Sequence, residues 1–157
     1  MKMDAELASF LSSPVMIIIG TSSERNTPDI ARAVGARIDR DAGVADLVVS
    51  AWQWPGTVRN LRSNGRVAVT FARPSDYVSY QVKGSAAVRP ADTEDLLRSE
   101  RYMADILQVL TGLGLDRRLA APWLTNREAV AVRIDVDSVF VQTPGSKAGQ
   151  QIARQVP

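Results

Sequence analysis

Apolar and polar positions alternate along much of this chain, and the places where the period changes mark its elements. Asp29–Ile38 reads as a strand with Ile30, Arg32, Val34, Ala36 and Ile38 on one face and Ala31, Ala33, Gly35 and Arg37 on the other. Val15–Thr21 is apolar at nearly every position, as expected of a strand buried on both faces. Leu47–Trp52, Arg66–Phe71, Tyr77–Val88 and Ala129–Gln142 bring the number of predicted strands to six. A helical period replaces the alternation between Asp92 and Leu110, where Leu96, Met103, Ile106, Leu107 and Leu110 recur on one side. Asp92 is its predicted N-cap, and Glu94 and Asp95 complement the helix dipole. Shorter helices are expected over Asp4–Leu11 and Thr57–Ser63. The second is opened by Thr57 as its cap and stopped by Asn64-Gly65. Asp116–Glu128 fits neither period.

Consecutive strands joined by short turns imply antiparallel pairing, and enough of them close into a barrel that leaves no edge. The expected architecture is α+β, a six-stranded antiparallel split β-barrel with flanking helices. It forms a single domain over residues 1–157, of which Thr143–Pro157 is a polar tail. Net charge is only +2, and no block of like charges occurs, so neither nucleic acid nor a membrane surface is an expected partner. The chain contains no Cys and no His. That removes thiol nucleophiles, thiolate zinc sites, axial imidazole ligands and the usual general base, and no metal site is expected. Asp4 and Glu6 stand where a secretory signal would be apolar, and Met16–Ile19 is too short to span a bilayer, so the expectation is a cytoplasmic protein.

Three segments carry the candidate chemistry. Arg32-Ala33-Val34-Gly35-Ala36-Arg37 sets two guanidinium groups on one strand. Ser50-Ala51-Trp52-Gln53 leads into a helix start at Thr57, where unpaired backbone N–H groups suit an anion. Ser79-Tyr80-Gln81-Val82-Lys83-Gly84 brings polar side chains along another strand. In this order and spacing the chain resembles the pyridoxamine 5′-phosphate oxidase-like family of FMN-binding split barrels, from about Pro14 to Gly84 and again over Ala129–Val141.

The resemblance implies an FMN site. Arg32, Val34 and Arg37 fall on the oxidase's Arg-x-Val-Leu-Leu-Lys strand, whose backbone and basic ends hold flavin ring and phosphate, and Ala33 lies within it. Pro55, Gly56 and Thr57 stand where the oxidase carries a Ser-Arg-Lys phosphate clamp, leaving Thr57 and the helix N-terminus to hold phosphate. The oxidase's FMN-contacting Gln falls on Ser79, with Gln81 two residues further along the same face to take that role. Arg37 or Lys83 would stabilise the charge of reduced flavin. Ser50, Ala51, Trp52 and Gln53 form the loop beside the ring, with Trp52 and Trp54 as stacking candidates and Trp123 as packing. The implied activity is hydride transfer through FMN to a small-molecule substrate, with no catalytic acid or base named. Lack of His excludes the oxidase's own vitamin B6 chemistry and disfavours the haem-degrading branch. The alternatives are a non-catalytic flavin carrier or sensor, a deazaflavin-dependent reductase using Arg32, Arg37 and Lys83 for a longer acidic tail, and a ligand-free interaction domain. The resemblance also implies a homodimer with FMN at the interface.

Overall fold

The alternating run from Asp29 to Ile38 does not stay straight. In the computed structural model, which describes residues 1–154, it forms two strands, β2 (Pro28–Arg32) and β3 (Ala36–Asp39), joined by a kink at 33–35. The kink closes the sheet. Ala33 N–H donates to Ile17 O of β1 (Met16–Ser22) at 3.1 Å. Val34 N–H donates to Val48 O of β4 (Val44–Ser50) at 2.8 Å, and Val48 N–H returns to Gly35 O at 3.0 Å. One bent strand thus pairs with β1 on one side and β4 on the other.

The remaining strands are β5 (Arg66–Ala72), β6 (Ser79–Pro90) and β7 (Ala129–Val141), and the antiparallel order is β2-β1-β5-β6-β7-β4-β3. Its two ends are halves of the kinked segment, so the expected split barrel forms. An added strand, β8 (Gln151–Arg154), pairs with the far half of β7. Part of the segment expected as a polar tail is therefore sheet, because β4 ends its pairing at Asp135 and leaves that half of β7 uncovered. Residues 155–157 of that tail lie outside the described residues.

Two strand patterns differ from expectation. The kink interrupts the period of 2, so Ala31, Ala33 and Val34 are all buried while Ile30 is 67% exposed. β1 alternates instead of being buried on both faces: Ile17, Ile19 and Thr21 point inward, and Met16, Ile18 and Gly20 are half-buried. The strand buried throughout is β4, with one face in the barrel and the other beneath a helix.

That helix is α3 (Thr93–Gly112), which follows α1 (Ala5–Ser12) and α2 (Pro55–Asn64). Its start carries the predicted cap in full, Asp92 accepting from Asp95 N–H at 2.9 Å and Asp95 accepting from Asp92 N–H at 3.0 Å. Tyr102, Ile106 and Leu110 form its buried stripe, and the Tyr102 hydroxyl donates to Val15 O at 2.6 Å. Where α3 crosses the kink its backbone comes so near that a Cβ on Gly35 would stand 3.4 Å from Ser99 Cα. Gly35 also has φ +151°, a region that side-chain-bearing residues rarely enter. The unclassified stretch 116–128 becomes α4 (Arg117–Ala120) and a 3-10 turn, Ala121–Trp123.

Candidate functional site

The site begins where β4 ends. Ser50 is buried, and its hydroxyl donates to Arg127 O at 2.7 Å while accepting from Gln53 N–H at 3.1 Å. Ala51 N–H donates to Glu128 O at 3.1 Å, so the turn at 51–53 is fastened to the residues leading into β7. Pro55 then starts α2, its fixed φ suiting a first helical position. This corrects the expectation for Thr57. The N-cap is Trp54, which makes no side-chain capping bond, and Thr57 sits inside the first turn, wholly buried. Its Oγ1 has no hydrogen-bond partner. At the other end Gly65 takes the left-handed conformation (φ 65°) and stops the helix as expected.

Gln53 reaches out of the turn, with Nε2 donating to Pro122 O at 3.3 Å and Oε1 buried without a partner. Next to Pro122, the Trp123 ring lies over the guanidinium of Arg32, 4.8 Å from ring centroid to carbon. Arg32 Nη1 is buried with no acceptor, and no ion pair engages this side chain among the described residues. Burial pushes the Tyr102 phenol up, and the positive charge of Arg32 partly opposes that shift. A second cation–aromatic pair flanks the turn, Arg127 lying 4.4 Å from the ring centroid of Trp52, which is 50% exposed. The turn after β4 and the 3-10 turn therefore bring together Arg32, Ser50, Trp52, Gln53 and Trp123. Thr57 follows Gln53 by four residues.

The remaining candidates are engaged elsewhere. Arg37 donates to Asp46 at 3.0 Å, and Asp46, only 5% exposed, also has Arg133 at 3.7 Å. The hydrogen bond and charge of Asp46 raise the Arg37 guanidinium above its already high value. Arg37 borders a separate cavity of about 460 Å³ between β3 and α3, beside Glu94 and Arg98. Gln81 donates to Thr70 Oγ1 at 3.2 Å, and Lys83 lies 4.6 Å from the Phe140 ring centroid. Ala33 and Val34 are buried with their N–H groups spent on barrel closure. Asp29 sits against the first turn of α2, where a Cβ on Gly56 would collide with its carboxylate, so the dipole there already has an acidic neighbour.

The family model described as pyridoxamine 5′-phosphate oxidase matches residues 3–150. The chain belongs to that family. No curated protein matches it. Solved structures share the fold of this pyridoxamine 5′-phosphate oxidase family at low identity. HupZ of Group A Streptococcus is 18% identical at TM-score 0.57, covering 94% of this chain and 100% of its own. A pyridoxamine 5′-phosphate oxidase-type protein of Lactobacillus delbrueckii is 13% identical at TM-score 0.56, covering 88% and 93%. An F420 reductase is 16% identical at TM-score 0.50, covering 83% and 93%. No helix among the described residues is long and apolar enough to cross a membrane, and no cluster of His, Cys, Asp or Glu there could hold a metal.

The sequence gives Trp123 only a packing role and does not single out Arg127. Both lie in or beside a segment without period, and only the folded chain shows that it crosses the end of β4.

Proposed function

We propose that this protein is a flavoprotein of the oxidoreductase type, binding FMN through a phosphate held at Arg32. One observation carries the reading: a guanidinium nitrogen buried with no acceptor and a buried amide oxygen that lacks a donor, on two side chains that both meet the 3-10 turn at Pro122-Trp123. An unpaired buried charge is costly, and an anion on Arg32 supplies the missing partner. Arg32 takes the phosphate, the Gln53 amide takes a donor of the ligand, and Thr57 Oγ1, four residues along the chain from Gln53, is a further unpartnered hydroxyl. Ser50 holds Gln53 in place through its backbone N–H. Trp52 offers an exposed ring against which a planar group stacks. When bound, FMN supplies the hydride chemistry, and the protein supplies binding and orientation. In this reading Arg37 and Gln81 are structural, since each already has a hydrogen-bond partner in the fold, and Lys83, which lies against the Phe140 ring, is not assigned a contact to the phosphate. The chain acts as one domain in a homodimer with the flavin between copies, in the cytoplasm.

A deazaflavin is the second reading, favoured by the likeness to an F420 reductase and by the same need of Arg32 for an acidic group. Titration with FMN tests the first. Flavin fluorescence is expected to change on binding, and Arg32→Met is expected to weaken affinity about 10- to 100-fold, the worth of a charge-assisted hydrogen bond. Absence of any fluorescence change up to about 1 mM FMN overturns it. Reduction of the bound flavin by NADH or NADPH separates an oxidoreductase from a carrier.

A further inference from the structure

The segment that covers Arg32 is weakly held. Residues 115–126 run from the end of α3 to the start of β7, and their backbone bonds are almost all local. Leu119 N–H and Ala120 N–H return to Asp116 O, and Leu124 N–H returns to Ala121 O. Among the described residues, the hydrogen bond that joins the segment's middle to the barrel is Gln53 Nε2 to Pro122 O, at 3.3 Å and exposed. Ala120 is its single fully buried side chain, with Leu115 and Leu124 half-buried against the core. Leu119 remains 61% exposed. Both flanks carry left-handed backbone, Gly114 at φ +93° with open space around it and Glu128 at φ +52°. Glu128 is the more telling of the two, because a side-chain-bearing residue seldom adopts that conformation.

What the segment covers is the unsatisfied guanidinium. Trp123 gives Arg32 a ring face, which attracts a cation without supplying an acceptor for Nη1. The closed arrangement therefore leaves a polar demand unmet at the place it seals. We propose that residues 115–126 form a lid over Arg32, hinged at Gly114 and Glu128, with Trp123 as the latch that an anionic ligand displaces. The inference rests on the reading of Arg32 as the anion holder. It adds that access to Arg32 is controlled by a segment that opens without unfolding the barrel.

The chain has no cysteine, so a single introduced thiol reports on opening without background. Ala120→Cys places it on the buried side of the lid itself, and Ala131→Cys places it on β7, where exposure is 1%. Reaction with a chromogenic disulfide reagent in native buffer is expected to be about 100-fold faster at position 120 than at position 131, local opening being far more frequent than global unfolding. Trp123→Ala added to each is expected to speed reaction at 120 severalfold and leave 131 unchanged. Leu124→Cys serves as a second lid position should the thiol at 120 disturb folding. Equal rates at the lid and barrel positions overturn the proposal, as does a Trp123→Ala effect that is the same at both. A third arm adds saturating FMN, which is expected to speed reaction at 120. If FMN binds and the rate is unchanged, the latch is refuted. If FMN does not bind, the flavin reading fails, while the ligand-free rates still decide the lid.

Discussion

Replacing Gly35 by Ala tests the account of barrel closure at its narrowest point. The residue has φ +151°, and an L side chain there costs about 1–3 kcal/mol of backbone strain. The new methyl would also stand 3.4 Å from Ser99 Cα, 3.5 Å from Ser99 N and 3.6 Å from Val48 Cγ2. These are ordinary van der Waals distances, so the methyl has room and the cost lies in the backbone conformation. The expected loss is therefore about 1–3 kcal/mol. Urea unfolding followed by circular dichroism measures it. With a slope of about 2 kcal/mol per molar, the midpoint is expected to fall by about 0.5–1.5 M. Gly112→Ala is the matched control. It closes α3, has nothing within 4 Å of its would-be Cβ, and is expected to gain about 0.5–1 kcal/mol from reduced freedom of the unfolded chain. If Gly35→Ala unfolds at the wild-type midpoint while the control gains, the kink does not carry the closure described above.

Two further outcomes follow from the charge pairs. Asp95, with its side chain 2% exposed, is pushed up by burial, but hydrogen bonds from Arg89, Asp92 N–H and Arg98 outweigh that and hold it below the usual carboxylate range. A carboxyl lowered by folding stabilises above its unfolded value of about 4 and loses that contribution as the pH falls below it. Thermal melts are thus expected to show wild-type stability dropping below about pH 4, with Asp95→Asn about 1–3 kcal/mol weaker at pH 7 and flatter in acid; equal acid sensitivity in both would refute this. Arg37→Ala removes one of two cations on Asp46, the Arg37 side chain being 58% exposed, so stability is expected to change by no more than about 1 kcal/mol. FMN affinity in that variant is expected to match wild type, and a tenfold loss in fluorescence titration would return Arg37 to the site.

How far the residues announce the fold depends on how local each feature is. The helix at Thr93–Gly112 is legible because its period and its Asp92/Asp95 box lie within a few residues of each other. Gly65 is legible for the same reason. The kink is not, because its cause is a three-way meeting of Ile17, Val48 and Ser99 with residues 33–35, far apart in the chain. Thr57 illustrates a local conflict: a good capping residue and a good first-turn proline compete two positions apart, and Pro55 prevails. Arg37 shows the limit for charge, since its partner Asp46 is visible only once β3 and β4 are set in register.

The kink also decides how the cylinder comes apart. Val34 and Val48 bond across the seam where the two ends of the sheet meet, so neither amide is freed by fraying a terminal strand. Their protons exchange with heavy water only when the ring of strands opens as a whole. Those two amides therefore clock complete unfolding, and the gap between their rate and that of the backbone of residues 115–126 measures how independently that segment moves from the strands beneath it.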